Sequence, residues 1–480
     1  MTDSQPKASN SEQGIAGRFK SWWSAVPEVV DLQDSLIVID ASALLHLYRI
    51  SPKAREQTLS VMALLQNQLF IPHQAAQEFH RNRFGVATSR IKQFRETRQT
   101  LEQAPKEAVA LLRSTVAKFE SFRTRIMTER QWKPDDHHLD ENSLTQRLHG
   151  VMDAALSEFE ALEAEYDLRP GDVLRMDPVL TRLEDITSGR IGLPYDNDQL
   201  EQRIREANEF RYPNIIPPGY ADARSKSTPY LAAGDYIVWR QIIDHAAGAT
   251  GGEFVAVVTN DVKEDWWELD KKGRPTKARS ELSQELAETC GRQLKLLTLS
   301  SFLDIAAVQL PGEVSEETVE RVRVSEVETQ MDSVIESLRE SGHPNLLALS
   351  PFELEGLVRA LFEAMGYTAT LVDYDPELSK TSSPRSYDIL AIDPRTEPPT
   401  RTIVEVKRYK NLVASETVRA LYGSMLHEGA DRGAVVTTSQ FGIASRDFAD
   451  GKNIDLIDGM KLLMLLNEHL GIDVTFTHEN

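Results

Sequence analysis

Two acidic residues and a lysine near the C-terminus have the spacing of a hydrolytic centre. The segment Thr402–Tyr409 reads as a β-strand, in which Glu405 and Lys407 point to the same face because successive side chains alternate. The segment Tyr387–Ile392 is predicted to be its hairpin partner and would bring Asp388 into reach. Two carboxylates can hold Mg²⁺, and a neighbouring lysine can neutralise charge on a phosphate. The pattern therefore indicates phosphodiester cleavage.

An ordinary structural explanation competes with this interpretation, because an acid and a lysine two residues apart are common on solvated strands. The surrounding segments favour the catalytic interpretation. An amphipathic helix carrying Glu355 is predicted from Leu349 to Tyr367. Two further segments, Val435–Phe441 and Ile454–Gly459, follow the predicted hairpin.

In this order, residues 346–466 resemble the Mrr-like restriction endonucleases, a branch of the PD-(D/E)xK nucleases. The resemblance implies an α/β fold with a metal-dependent, DNA-cleaving centre. Its members would be Asp388, Glu405 and Lys407, with Glu355 as a supporting acid on the first helix.

The chain departs from that family at two points. Ser386 and Tyr387 precede Asp388, where the family usually has a glycine, and Glu405 stands where glutamine is frequent. The first departure concerns the turn that leads into Asp388.

Four further acids lie at predicted strand ends or helix starts. Asp40 follows the apolar run Leu36–Ile39, and Asp261 follows a second apolar run; Glu78 and Asp235 fall in the first turns of predicted helices. Ligands of open α/β sheets gather at the carboxyl ends of strands. Each acid alone could be a helix cap or a turn residue, and for Asp235 alone that explanation is the stronger one.

Together these acids resemble the PIN-domain nucleases over roughly residues 30–310. The matching segments are Pro217–Asp222, Gly234-Asp235 and Thr259–Trp267. The resemblance implies a parallel-sheet domain with the catalytic and metal-binding quartet Asp40, Glu78, Asp235 and Asp261, and with Asp265 as a candidate fifth acid. Crowded carboxylates would raise each other's pKa unless a cation neutralised them, so Mg²⁺ or Mn²⁺ is expected there.

The 480 residues exceed one ordinary hydrophobic core, so several domains are expected. The predicted division is a disordered or short helical segment at 1–30, a PIN-like domain at 31–310 with a helical insertion at about 85–167, a charged helical linker at 311–345, and an Mrr-like domain at 346–480. The fold class is α/β in both domains.

Composition narrows the class of protein. The net charge of −20 argues against tight non-specific nucleic-acid binding over the whole surface, although one face can be locally basic. The single cysteine, Cys290, excludes an internal disulfide and a cysteine-built zinc site. No apolar run is long enough to span a membrane, and no secretory signal is evident, so a cytoplasmic location is expected.

Basic residues follow Glu78 at short intervals: Arg81, Arg83, Arg90, Lys92, Arg95 and Arg98. They would guide a phosphate backbone towards the first acid cluster, or form a solvated helix face paired with Glu96 and other acids. The two interpretations have equal weight.

The leading hypothesis is a metal-dependent dual nuclease. Its PIN-like domain would act on RNA or single-stranded nucleic acid, and its Mrr-like domain would act on DNA. The expected role is prokaryotic defence against foreign nucleic acid. The two centres are expected to act independently, and the protein is expected to be able to form a homodimer. The alternative is a DNA endonuclease whose PIN-like domain binds or senses nucleic acid without cutting it. In a third interpretation both acidic sites are structural ion-binding centres.

Overall fold

The computed structural model describes residues 30–126, 133–134, 137–166, 168, 173, 175–223, 226–374 and 386–476, together with Phe19 and Trp22. The predicted disorder or short helix at 1–30 lies outside the described residues except for Phe19, Trp22 and Val30. Within the described ranges, no helix has both the length and the apolar composition to cross a membrane.

The first half of the chain is organised around a parallel sheet. Its strands in chain order are β1 (Ser35–Ile39), β2 (Leu69–Phe70), β3 (Phe254–Val258), β4 (Trp267–Leu269), β5 (Pro275–Ala278) and β6 (Gln293–Leu297). The sheet has the order β2-β1-β3-β6 with all neighbours parallel, and β4 and β5 form a separate antiparallel hairpin. Every residue of β3 is buried, as expected for a parallel strand covered on both faces.

Helices surround this sheet. They are α1 (Ala41–His46), α2 (Pro52–Leu64), α3 (His73–Arg125), α4 (Glu141–Glu165), α5 (Pro178–Thr187), α6 (Asn197–Arg205), α7 (Pro229–Ala232), α8 (Gly234–Gly248), α9 (Ser280–Cys290) and α10 (Leu299–Gln309). Helices α3 and α4 pack side by side, with the rings of Phe94 and Phe159 5.9 Å apart. The insertion therefore contains a helical hairpin, but α3 starts at His73 and runs without a break through Glu78.

A second sheet forms the C-terminal part. Its elements are α12 (Pro351–Ala364), β7 (Thr368–Leu371), β8 (Ile389–Asp393), β9 (Thr400–Lys407), α13 (Ser415–Glu428), β10 (Arg432–Thr437), α14 (Ile443–Ala449), β11 (Ile454–Ile457) and α15 (Gly459–Leu470). The strand order is β11-β10-β9-β8-β7; β7, β8 and β9 are antiparallel, and β9, β10 and β11 are parallel. The predicted α/β class is confirmed in both parts of the chain.

The alternation predicted for β9 is present. Val404 and Val406 join the core that includes α12, whereas Ile403 joins a second cluster on the other face of the sheet. Both faces of β9 are thus anchored. This rigid strand carries Glu405 and Lys407 at its carboxyl end.

Helix α11 (Glu316–Glu340) connects the two sheets and was predicted to be a charged spacer. It is packed along its length, because Val319 and Val322 belong to the first core and Met331 and Leu338 belong to the second. The domain boundaries remain a prediction, but α11 ties the two cores together.

A half-buried acid of α11, Glu326, contacts the start of α10. The carboxylate of Glu326 accepts hydrogen bonds from the Ser300 backbone N–H at 2.9 Å and from the Ser300 hydroxyl at 2.5 Å. Burial raises the pKa of Glu326 to about 7, although the hydrogen bonds from Ser300 oppose that rise. The carboxyl group of Glu326 therefore loses its proton within the physiological pH range.

The raised pKa predicts how this contact responds to pH. Stability contributed by protonated Glu326 is fully present below the ordinary pKa of 4.5 and is lost as the pH rises through about 7. Glu326→Gln stays neutral, so we expect it to match the wild type near pH 5 and to be more stable by about 1–3 kcal/mol near pH 8.5. Urea unfolding at both pH values measures this difference. The exposed Glu336→Gln on the same helix is the control, and an equal effect of both substitutions would contradict the assignment.

Candidate functional site

Asp40 lies where β1 ends and caps α1. Its Oδ2 accepts hydrogen bonds from the Ser42 hydroxyl at 2.7 Å and the Thr259 hydroxyl at 2.9 Å. Thr259 directly follows β3, the neighbour of β1 in the sheet. The carboxyl ends of two adjacent parallel strands therefore meet at Asp40, and Ser42 supplies a supporting hydrogen bond.

The other three acids of the first cluster lie around Asp40. Burial together with the charges of Asp40 and Asp261 raises the pKa of Glu78 to about 7. Burial and the nearby Asp261 raise the pKa of Asp235 well above its usual range, and Glu78 contributes to that rise. The structure thus brings the predicted quartet into one electrostatically coupled group.

Asp265 occupies a different position from these four acids. Its side chain is fully buried, and its Oδ2 accepts hydrogen bonds from the backbone N–H groups of Gly219 at 2.8 Å and Ala221 at 3.1 Å. Gly219 has a φ of +96°, and a methyl group there would lie 3.1 Å from Cβ of Asp235. Asp265 therefore anchors the loop that approaches Asp235.

A lysine that the sequence did not single out lies among these acids. The Lys263 ammonium contacts Asp261 at 2.9 Å and also contacts Asp222. Burial opposes its charge, but the surrounding carboxylates Asp261, Asp235 and Asp222 raise the pKa of Lys263. Lys263 therefore partly neutralises the cluster.

The second cluster forms where β8 approaches β9. The backbone N–H of Asp388 donates to the Val404 carbonyl at 2.9 Å, and its side-chain Oδ2 accepts from the Val406 N–H at 2.8 Å. These two bonds fix the Asp388 carboxylate beside the end of β9. The departure before Asp388 is accommodated by Tyr387, which is 3% exposed and packs in the cluster that contains Ile403.

Glu405 and Lys407 lie next to each other on β9. The Lys407 ammonium contacts Oε1 of Glu405, whereas Oε2 of Glu405 is buried and has no hydrogen-bond partner among the described residues. Burial and the charge of Asp388 raise the pKa of Glu405, and Lys407 opposes that rise. A buried oxygen without a partner is a free ligand position for a hard cation.

Glu355 comes from α12 and completes the second cluster. Its side chain is buried, and burial together with the charge of Asp388 raises the pKa of Glu355 to about 8. The structure therefore gathers Asp388, Glu405, Lys407 and Glu355, as the sequence predicted. These groups offer carboxylate oxygens and an ammonium but no sulfur or imidazole, a donor set suited to Mg²⁺ or Mn²⁺.

Both parts of the chain match known families. Residues 36–282, just over half of the chain, match the PIN-like domain family. The chain belongs to the PIN-like domain family. Residues 346–466 match a restriction endonuclease family. Both resemblances found in the sequence are thereby confirmed, and the two parts are called the PIN-like domain and the endonuclease domain below.

Individual relatives cover only part of the chain. The type IV methyl-directed restriction enzyme EcoKMrr of Escherichia coli K12 is 27% identical over 168 residues, which make up 34% of this chain and 54% of that enzyme. The chain thus spans about half the length of this relative. The solved DNA modification-dependent restriction endonuclease AspBHI is 20% identical over 30% of this chain and 37% of that chain, with a TM-score of 0.22.

The endonuclease centre also receives a residue from the PIN-like domain. Lys272, in the loop between β4 and β5, lies 3.5 Å from Asp388, 3.7 Å from Glu355 and 3.2 Å from Asp373. Two independent centres were expected, without a contact between the PIN-like domain and the endonuclease centre. The sequence offers no local signal for it, because Lys272 is 101 residues away from Asp373.

No set of three or more His, Cys, Asp and Glu side chains in the described part of the chain is grouped so that it could hold a metal ion. In each cluster a lysine lies between carboxylates: Lys263 in the PIN-like domain, and Lys272 in the endonuclease centre. The acids are therefore gathered around ammonium groups.

The basic residues after Glu78 are partly paired. Arg83 contacts Asp177 at 2.5 Å, Lys92 contacts Glu96 at 3.7 Å, and Arg98 contacts two acids of α4. These contacts favour the paired helix face for these three residues. The other three arginines are exposed.

The burial of Asp265 predicts a structural effect. Asp265→Ala would leave the N–H groups of Gly219 and Ala221 without their acceptor, so we expect a loss of about 2–4 kcal/mol in unfolding free energy. Urea unfolding measures the loss. The exposed neighbour Glu264 supplies the control, and Glu264→Ala should change stability by less than about 0.5 kcal/mol. Equal stability of both variants would show that Asp265 does not anchor the loop.

Proposed function

We propose that this protein is a metal-dependent nuclease that cleaves DNA at the endonuclease centre. The observation that carries the proposal is the placement of Asp388, Glu405 and Lys407 side by side at the end of β9, with one buried oxygen of Glu405 left without a partner. Similarity to EcoKMrr, whose name describes a restriction enzyme, supports DNA as the substrate.

Asp388 and Glu405 would hold the cation, Mg²⁺ or Mn²⁺. Their carboxylate oxygens are the hard ligands that these ions prefer, and the partnerless oxygen of Glu405 fits such a role. When bound, a divalent cation supplies Lewis acidity towards the phosphate and lowers the pKa of water. Glu355 would support this group from α12.

Lys407 would act on the substrate. Its ammonium is held by Glu405 at the end of a rigid strand, and the neighbouring carboxylates raise the pKa of Lys407 even though burial opposes this. Lys407 therefore stays protonated. A fixed positive charge at this point would stabilise the negative charge that develops on the phosphate.

For the PIN-like domain we propose a second, separate cleavage activity on RNA or single-stranded nucleic acid. Asp40, Glu78, Asp235 and Asp261 would have to draw closer together to hold Mg²⁺ or Mn²⁺, since the described side chains do not form a ready group of three acids. Asp265 would fix the neighbouring loop. Burial and the charges of neighbouring carboxylates raise the pKa of both Glu78 and Asp235, which supports this proposal, since a cation would relieve the repulsion. The exposed arginines of α3 would contribute to guiding the nucleic acid.

A second candidate function has an observation in its favour. Lys263 already pairs with Asp261 and Asp222, and the loop at Lys272 reaches the endonuclease centre. Both features suit a PIN-like domain that binds or senses nucleic acid without cutting it. In either case we propose that the protein acts in the cytoplasm in defence against foreign nucleic acid. A homodimer is the proposed oligomeric state.

Digestion of plasmid DNA and of single-stranded RNA with Mn²⁺ or Mg²⁺ separates these functions. Lys407→Ala and Asp388→Asn should each lower the rate of DNA cleavage by at least about a hundredfold, because each removes a charge that acts on the reacting phosphate or its cation. The exposed Lys410→Ala is the matched control and should cut DNA at the wild-type rate. Wild-type DNA cleavage by Lys407→Ala would refute the proposed endonuclease centre.

Asp235→Asn tests the PIN-like centre in the same assays. It should abolish RNA cleavage and leave DNA cleavage within about twofold of the wild type. Asp244→Asn, on the same helix, is the control. RNA cleavage that survives Asp235→Asn would show that the quartet is not a ribonuclease centre and would favour the binding or sensing function.

A further inference from the structure

The loop between β4 and β5 belongs to the PIN-like domain. Its flanking strands place Trp267 and Ala278 in the first hydrophobic core. Asp270 fixes the shape of the loop, because its Oδ1 accepts hydrogen bonds from the N–H groups of Lys272 at 2.8 Å and Arg274 at 2.9 Å. The loop therefore projects from the PIN-like domain as a preformed unit.

This loop makes a close backbone contact with the endonuclease domain. The carbonyl of Lys272 accepts a hydrogen bond of 2.8 Å from the N–H of Phe352, one of the free donors at the start of α12. Gly273 has a φ of +86°, and a methyl group at this position would lie 2.7 Å from Oγ of Ser350. Only glycine allows the approach, which shows that the fit is specific.

Charged side chains of the loop complete the contact. Arg274 and Lys272 both lie 3.2 Å from Oδ2 of Asp373. The ammonium of Lys272 also lies 3.5 Å from Asp388 and 3.7 Å from Glu355. Lys272 thus places a positive charge beside the carboxylate that would hold the divalent cation.

We infer that the ammonium of Lys272 competes with the divalent cation for Asp388, so that the PIN-like domain hinders cation binding at the endonuclease centre. This inference rests on the proposed function of that centre. An ammonium at 3.5 Å from Asp388 repels a second cation at the same carboxylate. The centre would therefore bind its cation fully only when the loop withdraws, and the PIN-like domain would control DNA cleavage through the position of this loop.

Two substitutions release the loop in different ways. Lys272→Met removes the competing charge, and Gly273→Ala keeps every charge but prevents the approach to Ser350. Their matched controls are Lys271→Met, which removes an exposed charge from the same loop, and Gly251→Ala. Gly251 has a φ of +84° but no atom within 4 Å of an added methyl group, so it reproduces the backbone strain alone.

The test is calorimetric titration of the full-length variants with Mn²⁺ in the absence of DNA, with the same variants carrying Asp388→Asn to define binding elsewhere. Lys272→Met and Gly273→Ala should each bind Mn²⁺ about three- to tenfold more tightly than the wild type, the range that one or two partly exposed ion pairs account for. The controls should bind as the wild type does. Plasmid cleavage by the two releasing variants should reach half its maximum at correspondingly lower Mn²⁺ concentration.

Other outcomes overturn the inference. Unchanged Mn²⁺ affinity in both variants would do so. Tighter binding in Lys272→Met alone would refute control through the position of the loop, because Gly273→Ala displaces the loop with its charges intact. Loss of DNA cleavage in Lys272→Met without a change in Mn²⁺ affinity would assign Lys272 to substrate binding instead. If neither the wild type nor any variant cleaves DNA, the proposed function fails. The Mn²⁺ affinities still decide whether the loop competes with the cation.

Discussion

Crowding of buried carboxylates is the constraint on which both candidate centres depend. Two like charges 4 Å apart repel each other by about 4 kcal/mol at the effective dielectric constant of a protein surface, and removal from water adds to that cost. In this chain burial first, and the charge of neighbouring carboxylates second, raise the pKa values of Glu78, Asp235, Glu355 and Glu405. The same constraint explains the lysines, since Lys263 and Lys272 each bring a positive charge to a cluster that would otherwise be unbalanced.

The fold keeps these acids together because each is attached to a rigid element. Asp40 follows β1, Asp261 lies just beyond β3, and Glu405 is part of β9, whose two faces are both buried. Helix α11 contributes at a larger scale, because its side chains belong to both hydrophobic cores. A loop of the PIN-like domain can therefore reach the endonuclease centre in a defined position.

The sequence predicted the strands and the acids because their signals are local. An apolar run that ends in an acid indicates a buried strand with its carboxylate at the sheet edge, and the alternation around Glu405 indicates which side chains share a face. The bounds of the helical insertion stay a prediction; a single helix, α3, carries Glu78 and continues from His73 into that region.

The lysines could not be predicted in the same way. Lys263 pairs with Asp222, 41 residues away, and Lys272 meets acids of another domain, so their roles follow from the tertiary structure. The anchoring role of Asp265 likewise depends on a loop 44–46 residues away. Family resemblance indicates acids that recur in a motif, whereas a contact between two domains has no motif of its own.

Hydrogen–deuterium exchange of the full-length protein, with and without Mn²⁺, most directly tests whether a cation and the loop compete for the same carboxylates. The Phe352 N–H and the segment 270–274 report on the closed contact, because Phe352 donates to the Lys272 carbonyl. We predict faster exchange at both places when Mn²⁺ is added to the wild type, and no such change in Asp388→Asn. Equal or slower exchange at both places in the wild type with Mn²⁺ would contradict it.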